Sequence, residues 1–257
     1  MRTHILSFES LPSTNTEAAR QARQGAREGL CVIAREQTMG RGRDGRIWVS
    51  PRDAGLYFSI VLRPDKLELS SWPLLTLMAA LAARDALAET CGLEADIKWP
   101  NDIMGDGRKL CGILAETIET ETGRAAIVGI GINLDNRAFP LDLEGIATSV
   151  TSLTGEKPDS PRLLRALVSA IERRYETLQA SSGKEETISA WTFHSSYAEG
   201  RQVRVTNGAE VIEGVTRGLE PDGALRVETD IGEIRTVHAG DVTSLRESKV
   251  QGPKSKV

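Results

Sequence analysis

The sequence predicts an α+β fold: a mixed β-sheet with helices packed on it, followed by a small all-β module. Three observations predict it. Up to about residue 198, short apolar runs bounded by Gly, Asp or Asn alternate with long stretches of helical periodicity. After Gly200 the pattern becomes short alternating runs separated by Asn207-Gly208 and Asp222-Gly223, dipeptides that favour hairpin turns. At 257 residues and 40% apolar composition the chain can bury a substantial core. We read residues 1–198 as one domain and 199–248 as a second. The polar stretch 249–257 reads as a disordered tail.

Residues 2–8 form the expected opening strand. Leu11-Pro12-Ser13-Thr14-Asn15-Thr16-Glu17 then leads into an Ala-rich helix, with Thr14 and Glu17 at capping-box spacing. Residues 30–34 read as the second strand. Residues 38–46, rich in Gly and Arg and without periodicity, read as a mobile loop, and 56–62 as a third strand ending before Pro64. Apolar residues then recur at helical spacing over 74–91, with Pro73 near the first turn and Gly92 just past the end. Runs at 95–99, 110–117 and 126–134 read as strands. Ser160-Pro161 fits a cap and first turn, ahead of a stripe of Leu164, Leu167, Val168, Ile171, Tyr175 and Leu178. Residues 184–197 read as helix. Runs at 203–206, 211–216, 224–229 and 233–238 make the terminal β module.

Lys+Arg 32 against Asp+Glu 36 gives a net charge of -4, which disfavours a broad nucleic-acid footprint. No apolar run approaches the ~20 residues that span a bilayer, and the first residues lack a signal-peptide pattern, so no membrane role is expected. Cys31, Cys91 and Cys111 form no C-x-x-C and no disulfide framework, which fits a reducing cytoplasm.

The most informative stretch is Gly40-Arg41-Gly42-Arg43-Asp44-Gly45-Arg46. Its glycines let backbone N–H groups approach closely, and its arginines offer planar forks of donors that grip phosphate oxygens. Taken alone, the segment reads first as an exposed or RNA-contacting RG loop, and its context must decide for phosphate binding. G-x-x-x-x-G-K-[ST] is absent, and Gly129-Ile130-Gly131 lacks the third glycine of a dinucleotide fingerprint, so those two glycines read equally as close packing in a strand. Lys98-Trp99-Pro100-Asn101-Asp102 and Gly107-Arg108-Lys109-Leu110-Cys111-Gly112 place two lysines at strand ends, expected on neighbouring strands. Solvated edge lysines are the plain reading. Two cations there also suit a carboxylate attacking the α-phosphate of ATP, where like charges must be brought together. Lys109 is the leading candidate for that task.

These segments, with Ser13-Thr14-Asn15, Gln37, Ile47-Trp48, Ile113-Leu114 and Ile132-Asn133, resemble the biotin-protein ligase (biotin-[acetyl-CoA-carboxylase] ligase) family, in family order from the start of the chain to about its middle. The resemblance implies a class II synthetase-like catalytic domain and a small C-terminal SH3-like β-barrel. It also implies that biotin and ATP, with Mg2+, give biotinyl-5′-AMP, and that biotin then passes to a lysine of an apo biotin carboxyl carrier protein. A homodimer is compatible with it. A lipoate- or octanoyl-transferring relative of the same fold is the enzyme alternative. A biotin-sensing regulator is the non-enzyme alternative, disfavoured because Ser13 stands too near the start for a preceding DNA-binding module.

By the same resemblance Ser13, Thr14, Asn15, Gln37 and Gly112 hold biotin, and Arg41, Gly42, Arg43 and Lys109 meet its carboxylate and the adenylate phosphate. Arg41, Arg43 and Lys109 are the implied catalytic groups. Gly40, Trp48, Lys98, Asn101 and Asn133 join Arg41 and Arg43 on the nucleotide side, and no residue is assigned as a metal ligand. Arg217 of the terminal module is placed with the nucleotide, with the carrier protein as its alternative. Ser13 and Thr14 also read as helix caps, and Trp48 equally as a loop anchor. Asp102 is a candidate for orienting or deprotonating the incoming lysine, which must be neutral to attack. Two positions depart from the family pattern: Asp44 stands where many relatives carry arginine, and Met39 where a smaller residue is common. Cys111 reads as a small strand residue rather than a nucleophile.

Overall fold

The computed structural model describes residues 1–136 and 139–245. The tail expected at 249–257 lies outside the described residues. Seven strands, β1 (His4–Phe8), β2 (Leu30–Ala34), β3 (Gly55–Leu62), β4 (Asp96–Lys98), β5 (Asp102–Gly105), β6 (Arg108–Thr120) and β7 (Gly123–Asn133), form one sheet. Its order is β1-β2-β3-β7-β6-β5-β4. The β1–β2 pair is parallel and the other pairs are antiparallel, so the sheet is mixed as expected.

The period of two along each strand divides the apolar residues between two faces. Ile60, Leu62, Val128 and Ile130 point to one face, while Val61 and Ile127 point to the other. Among the described residues five α-helices accompany the sheet: α1 (Thr14–Arg23), α2 (Leu74–Cys91), α3 (Val150–Thr154), α4 (Ser160–Leu178) and α5 (Gly183–Phe193). The first face buries α2 and α4, with Leu81, Leu87, Leu167, Ile171, Tyr175 and Trp191 of α5 in one core. Each such large side chain contributes roughly 1.5–3 kcal/mol by leaving water. The second face is covered only in part. There α1 sets Ala18 and Ala22 on Val32, Val61, Ile118 and Ile127, and the uncovered remainder, at the start of α1, is where the site lies.

The second sheet contains β8 (Glu199–Asn207), β9 (Glu210–Leu219), β10 (Leu225–Glu228), β11 (Ile234–Val237) and β12 (Asp241–Ser244). Its order is β11-β10-β9-β8-β12, antiparallel throughout. Val203, Val205, Leu225, Val227 and Val242 face inward and join the main core. The Trp99 indole N–H donates to Gly223 O at 3.0 Å, stitching the two sheets together. Among the described residues no helix is long and apolar enough to cross a membrane.

Several local expectations change. Ser13, not Thr14, caps α1, accepting from the Thr16 N–H at 3.5 Å. Asp159 rather than Ser160 caps α4, accepting from the Arg162 N–H at 2.9 Å. The last helix stops at Phe193, before the expected 197, because Ser195 and Ser196 turn to bond Ile97 O and the Asp96 carboxylate. Strands β5 and β12 and helix α3 were not expected. The signal for β5 was the Asp106-Gly107 pair, whose φ values of 49 and 72 mark a hairpin turn. Because β5 intervenes, Lys98 and Lys109 are one strand further apart than the expected neighbours.

Candidate active site

Glycine makes the space. Gly112 of β6 pairs with Gly131 of β7, and Gly129 lies on the same face two residues away. A Cβ on Gly129 would stand 2.1 Å from Asn15 Oδ1, and one on Gly131 would stand 2.5 Å from Trp48 Nε1. At Gly112 it would meet the Trp48 ring at 3.0 Å and Lys109 Cε at 3.2 Å. Three missing side chains thus admit Asn15, Trp48 and Lys109 to the bare part of the sheet. Beside them lies a cavity of about 130 Å³, lined by Ser13, Thr14, Asn15, Gln37, Arg41, Gly42, Arg43, Arg46, Trp48, Asn101, Asp102, Lys109, Gly112 and Asp241, among others.

The floor is a connected polar network, as buried polar groups require. Gln37 Oε1 accepts from the Thr14 backbone N–H at 2.8 Å, and Gln37 Nε2 donates to Ser50 Oγ at 2.8 Å. Fully buried Ser59 places its hydroxyl 2.7 Å from Thr14 Oγ1 and 2.6 Å from Asn15 Oδ1. Asn15 Nδ2 donates to Leu114 O at 3.1 Å and to Glu116 Oε2 at 2.9 Å.

Over this floor runs the arginine segment. It is a loop without strands, as the sequence predicts, and it folds back on itself as a hairpin, with Trp48 N–H donating to Gly40 O at 3.0 Å and Gly42 N–H to Arg46 O at 2.8 Å. Its tip holds Asp44 and Gly45 at φ 53 and 75, the left-handed pair of a type I′ turn. Aspartate tolerates that conformation better than most side chains, which accounts for Asp44 here. Arg41 pairs with Glu116, and Arg46 with Asp241 of the second sheet. Between them, Arg43 Nη1 donates to Asn101 Oδ1 at 3.3 Å and to Gly240 O at 3.5 Å.

Lys109 Nζ lies 2.6 Å from Asp102 Oδ1 and 5.3 Å from the Trp48 ring centroid, a cation held by a carboxylate and an aromatic face. Lys98 faces the same cluster from β4. Burial holds its ammonium below the ordinary lysine range, against the upward pull of Asp102, while Lys109 adds repulsion. Buried Cys111 has its thiol pushed well above the cysteine range, chiefly by desolvation. The buried Trp48 Nε1 has no hydrogen-bond partner among the described residues. No three His, Cys, Asp or Glu side chains among the described residues converge as a metal site.

Ser13, Thr14, Asn15, Gln37, Arg41, Gly42, Arg43, Trp48, Asn101, Lys109 and Gly112 therefore share one cavity. Gly40 sits behind it, where a Cβ would meet Trp48 O at 2.2 Å. Asn133 is turned to structural use, donating to Lys109 O at 3.3 Å and Thr148 O at 3.0 Å. Arg217 does not line the cavity: on β9 it pairs with Glu228 at 2.5 Å. Ser59, Glu116 and Asp241 went unremarked in the sequence. Only the even spacing Gly112, Leu114, Glu116 hinted that Glu116 shares the site's face.

Comparison with known proteins agrees with this geometry. The model of the biotin/lipoate A/B protein ligase family matches residues 7–133, and that of the biotin protein ligase C terminal domain matches residues 200–243. The bifunctional ligase/repressor BirA of Bacillus subtilis is 36% identical over 249 residues, covering 94% of this chain and 74% of that protein. The biotin--[acetyl-CoA-carboxylase] ligase of Mycobacterium tuberculosis is 32% identical, covering 91% and 86%. Among solved structures, the Aquifex aeolicus biotin protein ligase in complex with biotin and ATP superposes with a TM-score of 0.82 at 28% identity, over 96% of this chain and 100% of that one. With its two characteristic segments in order and relatives of this similarity along nearly its whole length, the chain belongs to the biotin protein ligase family, within the wider biotin/lipoate A/B protein ligases.

Proposed function

We propose that this enzyme activates biotin with MgATP to biotinyl-5′-AMP and pyrophosphate, and then transfers the biotinyl group to a lysine of a biotin carboxyl carrier protein, releasing AMP. The observation that carries this reading is the convergence of Arg43 and Lys109 on the cavity whose floor is Ser13, Thr14 and Gln37. Biotin's ureido ring must find donors and acceptors once stripped of water, since an unmatched buried polar group costs about 1–3 kcal/mol. Ser13, Thr14 and Gln37, which line the cavity, supply them. Its carboxylate then points toward Arg41, Arg43 and Lys109.

In the first step the biotin carboxylate attacks the α-phosphorus of ATP and pyrophosphate leaves. Two anions meet there, and the cations stabilise the charge that develops on the phosphoryl oxygens. Lys109 exchanges its contact with Asp102 for those oxygens. Magnesium travels with the triphosphate as part of the substrate. Trp48 offers its unpaired N–H to a ligand oxygen and its ring as a wall, while Lys98 and Asn101 border the nucleotide side. In the second step the neutral amine of the acceptor lysine attacks the biotinyl carbonyl, AMP leaves, and Asp102, released from Lys109, orients that amine. The hairpin from Gly40 to Trp48 shields the mixed anhydride from water.

Two units are proposed, 1–198 carrying the floor and 199–248 bearing Asp241 on the rim. Free cysteines suit a reducing cytoplasm. The test is transfer of labelled biotin to an apo carrier domain. Label should appear with ATP and biotin, not when ATP is omitted, and not when lipoate replaces biotin. Lipoate transfer at a comparable rate would favour the lipoyl reading, and no transfer of either acid would refute the assignment.

A further inference from the structure

We propose that Glu116 is a positioning residue for biotin activation, fixing Arg41 of the hairpin to the cavity floor through Asn15; this rests on the function proposed above. Glu116 divides its two oxygens between two elements. Oε2 accepts from Asn15 Nδ2 at 2.9 Å, and Oε1 accepts from Arg41 Nη2. The other end of the Arg41 guanidinium reaches Thr16 Oγ1 at 3.3 Å. Asn15 is itself immobilised, since Gly129 leaves it only its own volume and Ser59 and Leu114 O hold its amide. The carboxylate therefore ties a rigid point of the floor to the first arginine of the hairpin.

A negative charge beside a cavity built for anions weakens ligand attraction unless its positioning effect is larger. Geometry favours positioning. Glu116 does not line the cavity over the floor; it stands in a shallow recess with residues 41–46 and Leu114, and borders a second cavity that Arg43 and Asn101 also line. Its side chain is 30% exposed and that of Arg41 45%, so the pair is partly shielded and the arginine is held by both ends. A single free salt bridge at this exposure would contribute little. The shared bond to Asn15 makes the carboxylate part of a network in which each bond restricts the next. Glu116 thus sets the register in which the hairpin closes, and Arg43, two residues on, is carried to Asn101.

The test is a double-mutant cycle read in two ways. Glu116→Ala should release enzyme-bound biotinyl-adenylate about tenfold faster than wild type, while in an Arg41→Ala background the same change should add less than about twofold. Trypsin cleavage of the ligand-free hairpin after Arg43 or Arg46 should accelerate in parallel, and this arm reports on the anchor whether or not biotin is the substrate. Glu116→Gln, which keeps the volume and an acceptor for Asn15, should loosen the hairpin while leaving the melting temperature unchanged. Absence of biotin-dependent pyrophosphate exchange in the wild type would refute the proposed function and leave the cleavage result to judge Glu116. Wild-type cleavage rates in Glu116→Ala, slower adenylate release, or an equal effect in the Arg41→Ala background would overturn the inference.

Discussion

Gly131 and Trp48 compete for one volume: a Cβ on Gly131 would stand 2.5 Å from the indole nitrogen, far inside contact distance, while one on Gly112 would meet the same ring at 3.0 Å. Gly131→Ala should therefore expel the indole from its place on the sheet, costing about 1–3 kcal/mol of stability and weakening biotin binding at least tenfold. Gly112→Ala should do the same to a smaller degree. Thermal melts, tryptophan fluorescence and calorimetric biotin titration would show whether the two variants rank in that order.

Arg43 and Lys109 line one cavity but should fail differently when removed. Arg43→Gly should still form adenylate yet lose it at least about tenfold faster, so that free biotinyl-adenylate labels bystander proteins. Lys109→Ala should reduce biotin-dependent pyrophosphate exchange by about 100-fold or more, in line with the loss of a group that stabilises developing charge. Streptavidin blots of a mixed lysate and an exchange assay separate the two outcomes.

Arg46 and Asp241 form an exposed pair, with side chains 61% and 45% accessible. Such pairs contribute at most about 1 kcal/mol, so Asp241→Ala should leave the melting temperature nearly unchanged. The hairpin would nevertheless keep only the Arg43 contact to Gly240 O on that side, and KM for ATP should rise several-fold with kcat less affected. Equal KM values in steady-state transfer assays would show that the second sheet does not help place the hairpin.

Burial holds Lys98 below the ordinary value of 10.5, so charging it costs more in the folded than in the unfolded chain. That cost is fully present below the depressed folded value and disappears as pH rises to the unfolded one. Lys98→Met should accordingly stabilise the protein at neutral pH, with an advantage that shrinks toward pH 10.5, while impairing nucleotide use. Urea titrations at pH 7 and pH 10 would measure the trend, and a gain that grew with pH would contradict it.

Cys31 and Cys111 are buried, and desolvation pushes the Cys31 thiol up to about 12. Neither is a thiolate near neutrality. Cys111→Ala should keep exchange activity within about threefold, the range of a small buried swap, although the residue lies two positions from Lys109. A loss of several hundredfold would demand a chemical role.

Much of the fold was legible because strand and helix periodicities are local. Leu30–Ala34 and Leu74–Cys91 begin and end where the sequence pattern placed them. Cap positions slipped by one residue, since Ser13 and Thr14, or Asp159 and Ser160, are chemically equivalent candidates until the residue at which helical φ and ψ begin is known. The cavity residues were legible as motifs, and the network behind them was not. Glu116 acquires meaning from Asn15, 101 positions away, and Asp241 from Arg46, 195 positions away. Arg217, an exposed arginine of the second sheet, has its partner Glu228 on the adjacent strand, a pairing that strand register and not local sequence decides.

The seam between the sheets has a thermodynamic corollary. Trp99 reaches Gly223, Arg43 reaches Gly240, and one core runs through both units. A molecule seated in the cavity would be gripped by residues from both, and mass action would then raise the melting point of the smaller sheet along with the larger. Because the core is shared, the empty and the saturated protein should each melt in one transition, the saturated one at the higher temperature.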